Sequence, residues 1–181
     1  MTVARVLVDG APADSVSVLD RGLSYGDGLF ETIRLVHGLA PLWARHMARL
    51  RDGCRRLAMP VPDVERLLRE TLAVTQGLDH AVVRITLTRG AGTRGYAPPA
   101  SPKPTRIVAG FDAPDMHGDA YVSGIRVRWC ETRLGLQPLL AGLKHLNRLE
   151  QVLARAEWND AAIPEGLLLD LEGNVIGLVE G

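Results

Sequence analysis

Cysteine is nearly absent from this sequence: Cys54 and Cys130 are the only two in 181 residues. So far apart, they form neither a CxxC metal pair nor a disulfide framework, and they fit a reducing, cytoplasmic setting. An excess of one charge is also missing, with 21 Lys plus Arg against 21 Asp plus Glu. Nucleic-acid binders and membrane-surface proteins usually carry a basic excess, so neither kind of partner is expected. No stretch of about eighteen apolar residues exists, so no membrane-spanning helix is expected. Residues 1–10 alternate apolar and polar and contain Asp9, which is not a signal-peptide pattern. The five histidines show no metal-ligand spacing. Neither glycine-rich loop reads GxxxxGK[ST] and neither gives GxGxxG before a helix, which excludes those nucleotide-binding devices. Lysine is the scarcest basic residue, Lys103 and Lys144 standing against arginine everywhere else. Arginine keeps its charge at any ordinary pH and lysine need not, so each lysine is a candidate for chemistry.

What is present is 46% hydrophobic, enough to bury a core in one domain or slightly more. Strands are expected at Val3–Val8, Ser15–Leu19 and Leu29–Val36, with a tight glycine-rich loop over Asp20–Gly28. Helices are expected over Leu42–Leu57 and Val64–Gln76, the second capped by Asp63 and closed by Gly77. Strands follow at Ala81–Thr88 and Thr105–Phe111, separated by a second glycine-rich loop, Arg89–Tyr96, and a proline-rich stretch. Asp112–Asp119 is the best candidate linker. Beyond it come a strand at Ile125–Glu131, a helix over Leu146–Trp158 with Lys144 at or just before its start, and a hairpin of Glu165–Asp170 with Val175–Val179. The chain stops inside that returning hairpin, so it is expected to be incomplete.

Three places could carry chemistry. Lys144 follows the apolar run Leu139–Leu143, and burial favours the neutral amine that attacks aldehydes and ketones. A lysine snorkelling at a helix start is the plainer alternative. Arg49 sits on the edge of a helical apolar stripe and could reach inward to a phosphate, whereas Arg45, Arg51, Arg55 and Arg56 read as a solvated face. The Arg89–Tyr96 loop offers backbone N–H groups, two arginines, Arg89 and Arg94, and Tyr96, a mix that suits a carboxylate but equally a plain hairpin.

Four segments together carry a resemblance. They are Tyr25-Gly-Asp-Gly-Leu-Phe-Glu-Thr32, His46-Met-Ala-Arg-Leu50, Arg89-Gly-x-Gly-x-Arg94-Gly-Tyr96 and Leu140-Ala-Gly-Leu-Lys144-His-Leu-Asn-Arg-Leu-Glu150. In this order they resemble the class IV pyridoxal-phosphate aminotransferase fold family, across essentially the whole chain. That family contains branched-chain and D-amino-acid aminotransferases and 4-amino-4-deoxychorismate lyase, and the run Lys144–Gln151 looks most like the lyase. The resemblance implies a mixed α+β fold, with a small N-terminal α/β domain at 1–115 and the beginning of a C-terminal cofactor-binding domain at 120–181. It implies pyridoxal 5′-phosphate as cofactor, attached through Lys144, with Arg49 on its phosphate. Tyr25, Arg94 and Tyr96 would line the substrate side, Arg94 facing a carboxylate, with Asn147 and Arg148 supporting the surroundings of the lysine. The implied reaction converts the small molecule 4-amino-4-deoxychorismate to 4-aminobenzoate and pyruvate, a step of folate biosynthesis, in a cytoplasmic homodimer. The alternatives are a class IV transaminase of D-amino or branched-chain acids, or a non-catalytic remnant.

One departure bears on this expectation. The family places a glutamate on the strand after the hairpin, pairing with the pyridine nitrogen. Here Gly177 stands at that position, and Glu180 comes three residues later, on the opposite face of a strand.

Overall fold

The computed structural model describes residues 3–113 and 120–180, and the chain folds as two units, the second beginning at Asp115. Leu143–Leu146 belong to the first. Most of the expected linker lies outside the described residues.

The first unit is a five-stranded antiparallel sheet. In chain order its elements are β1 (Val3–Val8), β2 (Ala11–Pro12), α1 (Arg21–Tyr25), β3 (Gly28–Val36), α2 (Trp43–Arg56), α3 (Val64–Val74), β4 (His80–Thr88) and β5 (Arg106–Asp112). The strand order is β2-β1-β5-β4-β3, which leaves β3 at an edge. The period-two pattern of β3 and β4 sends Leu29, Ile33, Leu35, Ala81, Val83, Ile85 and Leu87 to one buried face. That face meets Met47, Leu50 and Cys54 of α2 and Leu67 and Val74 of α3, giving one continuous apolar layer. Gly53 lets α2 come very close, since a Cβ there would stand 2.7 Å from Leu29 Cδ1. Burial pushes the Cys54 thiol up to about 11, so it is protonated at neutral pH and serves as core.

Two expectations for this unit are corrected. Ser15–Leu19 is not a strand; the hairpin partner of β1 is the two-residue β2, because Asp9 and Gly10 turn the chain back at once, both with positive φ. The Asp20–Gly28 segment is not all loop. Asp20 caps the short α1, its carboxylate accepting from Gly22 N, and Gly26 ends it in the left-handed region.

The second unit holds α4 (Ala120–Ser123), β6 (Val127–Leu134), α5 (Leu149–Arg155), β7 (Glu165–Asp170) and β8 (Val175–Leu178). β6 and β7 are parallel, with α5 in the crossover, and β7 and β8 form an antiparallel hairpin. Its core is Cys130, Ala154, Trp158, Leu168 and Val179. Helix α5 is shorter than its apolar spacing suggests, and it docks through small Ala154, leaving Leu149, Val152 and Leu153 exposed. Gly177 pairs with Leu168, and nothing lies within 4 Å of where its Cβ would stand. Among the described residues no helix is long and apolar enough to cross a membrane.

Candidate active site

Lys144 does not open a helix, since α5 begins five residues later. It lies in an extended segment laid along the free edge of β3. Phe30 N donates to Lys144 O at 2.9 Å, Leu146 N donates to Gly28 O at 3.1 Å, and His145 bridges Leu29. The edge strand has unpaired backbone groups, and this segment satisfies some of them. The half-buried Lys144 side chain places Nζ 4.5 Å from the centroid of the Phe30 ring, and the Arg84 guanidinium carbon lies 4.0 Å from the same centroid. The apolar run before Lys144 does not enclose it: Leu143 is buried but Leu139 is exposed.

Gly28 makes this seating possible. A Cβ there would stand 2.5 Å from Leu87 O and 2.8 Å from Leu146 Cδ1. Gly28→Ala is therefore expected to push the Leu143–Leu146 segment off the strand edge. Borohydride trapping of pyridoxal phosphate should then place less label on Lys144, while circular dichroism still reports a folded sheet. Undiminished label would show that the segment is held some other way.

Arg49 sits on α2 above the buried face of β3. Its Nε and Nη2 donate to the two carboxylate oxygens of Glu31 at 2.7 and 2.5 Å, and His46 Nδ1 stands 2.7 Å from Oε2. Glu31 is only 1% exposed, whereas the Arg49 side chain is 45% exposed. The hydrogen bond to Glu31 is the main reason the Arg49 guanidinium is raised above its ordinary value. Lys144 and Arg49 are thus tied to Phe30 and Glu31, consecutive residues of one edge strand.

Tyr25 and the Arg94–Tyr96 loop are brought together. Gly95 N donates to Tyr25 Oη at 3.2 Å, and the rings of Tyr25 and Tyr96 are 5.4 Å apart. Arg94 and Tyr96 are exposed. What shapes the loop is a cluster that sequence reasoning missed. Arg21 Nη1 donates to Gly95 O and Nη2 to Tyr96 O, both at 2.9 Å, while its Nε donates to Asp27 Oδ2 at 2.8 Å. Arg89 Nε reaches the same Asp27 oxygen at 2.8 Å, and its other nitrogens reach the carbonyls of Leu57 and Ala58. Burial pushes the Asp27 carboxyl up, but hydrogen bonds and charge from Arg89 and Arg21 outweigh it and hold it below the usual carboxylate range. Asp20 completes the floor, its second oxygen accepting from Thr88 and Thr105 hydroxyls.

Glu31 also went unnoticed, although its signal was present. It shares strand parity with Leu29, Ile33 and Leu35, so a carboxylate falls on the apolar face of β3. A charged residue there needs a partner, and partnered buried charge is a pointer to a site.

An amine beside a strand edge and a partly exposed arginine on α2, both bonded to neighbouring residues of that strand, are features of a cofactor-holding site. A sequence model of the amino-transferase class IV family matches residues 28–181, and the chain belongs to that family. Within it, the chain is 37% identical to the aminodeoxychorismate lyase of Vibrio harveyi over 93% of its own length. The solved 4-amino-4-deoxychorismate lyase of Pseudomonas aeruginosa superposes with a TM-score of 0.89 at 53% identity, over 96% of this chain. A branched-chain amino acid aminotransferase from T.th., solved with pyridoxamine 5′-phosphate, gives 0.83 at 25% identity over 99% of this chain. The chain spans 62% of the Vibrio relative, 64% of the Pseudomonas chain and 63% of the aminotransferase chain. The expected mixed α+β, class IV fold is therefore borne out.

Proposed function

We propose that this chain supplies the catalytic lysine and part of the cofactor site of a pyridoxal-phosphate-dependent lyase, which converts 4-amino-4-deoxychorismate to 4-aminobenzoate and pyruvate in folate biosynthesis. What carries the reading is the 53% identity to a lyase of that name, together with the half-buried Lys144 on the β3 edge. When bound, the cofactor supplies an electron sink as the substrate loses a proton. Lys144 Nζ is a fit for its aldehyde and the open edge of Arg49 for its phosphate. At position 177 glycine offers the pyridine nitrogen no carboxylate.

The roles of the chain's own residues follow. With the cofactor in place, Lys144 Nζ would be the base that takes the ring proton of the substrate. It hands a proton to the departing three-carbon group, which leaves as pyruvate when its bond to the ring breaks. The ring becomes aromatic, which drives the elimination forward. Arg49 holds the phosphate end against the pull of the reaction. Tyr25, Tyr96 and Arg94 line the substrate side, and exposed Arg94 is free to meet a carboxylate. In this reading the 1–115 portion is an N-terminal α/β domain and 120–181 part of a cofactor-binding domain. The exposed Val18, Leu19 and Leu23 of the first unit, with Tyr96, support a homodimer. The balanced charge and paucity of cysteine support a cytoplasmic location.

The likeness to a branched-chain aminotransferase favours a second reading, amino-group transfer to a 2-oxo acid. Gly177 favours a third, a chain that folds without turnover. One assay separates all three. Pyruvate released from 4-amino-4-deoxychorismate is the expected result. With a branched-chain or D-amino acid also supplied as amino donor, glutamate formed from 2-oxoglutarate without pyruvate from 4-amino-4-deoxychorismate would establish the transaminase, and neither product from a folded chain would leave the remnant.

A further inference from the structure

We infer that Glu31, with His46 beside it, is the positioning residue that aims Arg49 at a phosphate monoester. The inference rests on the reading of Arg49 as the residue that holds the cofactor phosphate, and it adds what holds Arg49.

The Glu31 carboxylate is buried under α2, its two oxygens accepting from Arg49 Nε and Nη2 and from His46 Nδ1. A carboxylate only accepts, so Nδ1 of His46 carries the proton. These bonds occupy the Nε side of a rigid planar fork and leave the Nη1 edge pointing away from Glu31, on a side chain that is 45% exposed. Gly53, one turn along α2 from Arg49, sets the helix close enough to β3 for the bidentate pair to form. The carboxylate therefore fixes a side chain that otherwise has many rotamers, and turns one of its edges outward.

Charge and geometry predict opposite outcomes here. A carboxylate near a phosphate repels it, so if Glu31 acted only through its charge, neutralising it would tighten phosphate binding. If Glu31 acts by aiming Arg49, the same change weakens it. The test uses the full chain and compares the half-saturation of borohydride-trapped label on Lys144 with pyridoxal and with pyridoxal 5′-phosphate. Pyridoxal closes to an internal hemiacetal to the same extent whichever variant is present, so the change between variants in the ratio of the two isolates the contribution of the phosphate. Arg49→Gln should lower that ratio roughly tenfold to a hundredfold, as expected for a lost charge-assisted contact. Glu31→Gln should lower it to a similar degree, and adding it to Arg49→Gln should lower it no further. Glu31→Asp keeps the charge and draws the carboxylate back by one methylene, so it should lower the ratio as well. This variant decides the question if Glu31→Gln does not fold. A ratio lowered by Arg49→Gln but unchanged or raised in the Glu31 variants would overturn the inference and keep the reading of Arg49. A ratio near one in the unaltered chain, or one indifferent to Arg49→Gln, would overturn that reading and the inference with it.

Discussion

Lys144→Ala is expected to abolish the borohydride-stable pyridoxyl label and to reduce lyase turnover by about a thousandfold or more, because one amine both attaches the cofactor and moves the proton. The scarcity of lysine makes the result easy to read. Besides Lys144, only Lys103 and the N-terminal amine can take the label. Lys103 follows the second glycine-rich loop, and its carbonyl lies against Gly90. Peptide mapping of the unaltered chain should therefore find the label on Lys144 in stoichiometric amount. Lys144→Arg keeps the charge and most of the length, yet an arginine cannot be deprotonated in a protein, so it should be as inactive as the alanine variant. The secondary structure should survive both changes, because the segment is held by backbone bonds, Phe30 N to Lys144 O and Leu146 N to Gly28 O. Label retained at another position, with turnover intact, would end the assignment of Lys144.

Asp27→Ala is expected to cost about 3–5 kcal/mol of stability, the usual penalty for removing one partner of a buried ion pair. The melting temperature should fall by roughly 10 °C. Two arginines share this carboxylate, and neither side chain is exposed by more than a tenth. With Asp27 gone, Arg21 and Arg89 are left buried against backbone carbonyls and, for Arg21, the Tyr25 ring, none of which neutralises the charge. Asp27→Asn keeps the shape and one acceptor but not the charge, and should be almost as damaging. The same carboxylate makes stability depend on pH. Its folded pKa lies below the ordinary value of 3.8, so its contribution is complete above that value and is lost as pH falls through the lower folded value. Urea titrations of the unaltered chain between neutral pH and pH 3 should show this acid loss, and Asp27→Ala should flatten it. A penalty under about 1 kcal/mol would mean that water reaches the cluster and screens it.

Asp27 matters beyond stability because Arg21 also holds the carbonyls of Gly95 and Tyr96. The loop proposed to face the substrate is therefore tied to a salt-bridge cluster beneath it. Losing Asp27 should weaken substrate binding in variants that remain folded.

The sheet strands from β3 onward in the first unit, the helices α2 and α3 and the closing hairpin were readable from alternation, three- and four-residue spacing and turn residues, because local periodicity and burial agree there. Lys144 and Arg49 stood out as residue types set in the order that the family resemblance implies. The surroundings of Lys144 were misjudged: apolar neighbours in sequence suggested a helix start in an apolar pocket, whereas the lysine lies on a strand edge. Sequence neighbours do not report what an extended segment packs against.

Glu31 left a trace, a carboxylate at an apolar parity, but its partners lie 15 and 18 residues away on α2. Asp27 left none, and nothing in the sequence paired it with Arg89. They meet because β3 and β4 pair with Gly28 opposite Thr88, so the residue before one strand stands beside the residue after the other. Arg89 N also donates to Asp27 O at 3.0 Å, which locks that corner. A shift of one residue in the strand register would separate the pair and turn each side chain to the other face. Local spacing and the resemblance carried by four segments were thus enough for the class of fold and the family. Which carboxylate holds which arginine was settled only in three dimensions, because charged partners far apart in the chain are chosen by strand register and by how closely a helix can approach its sheet.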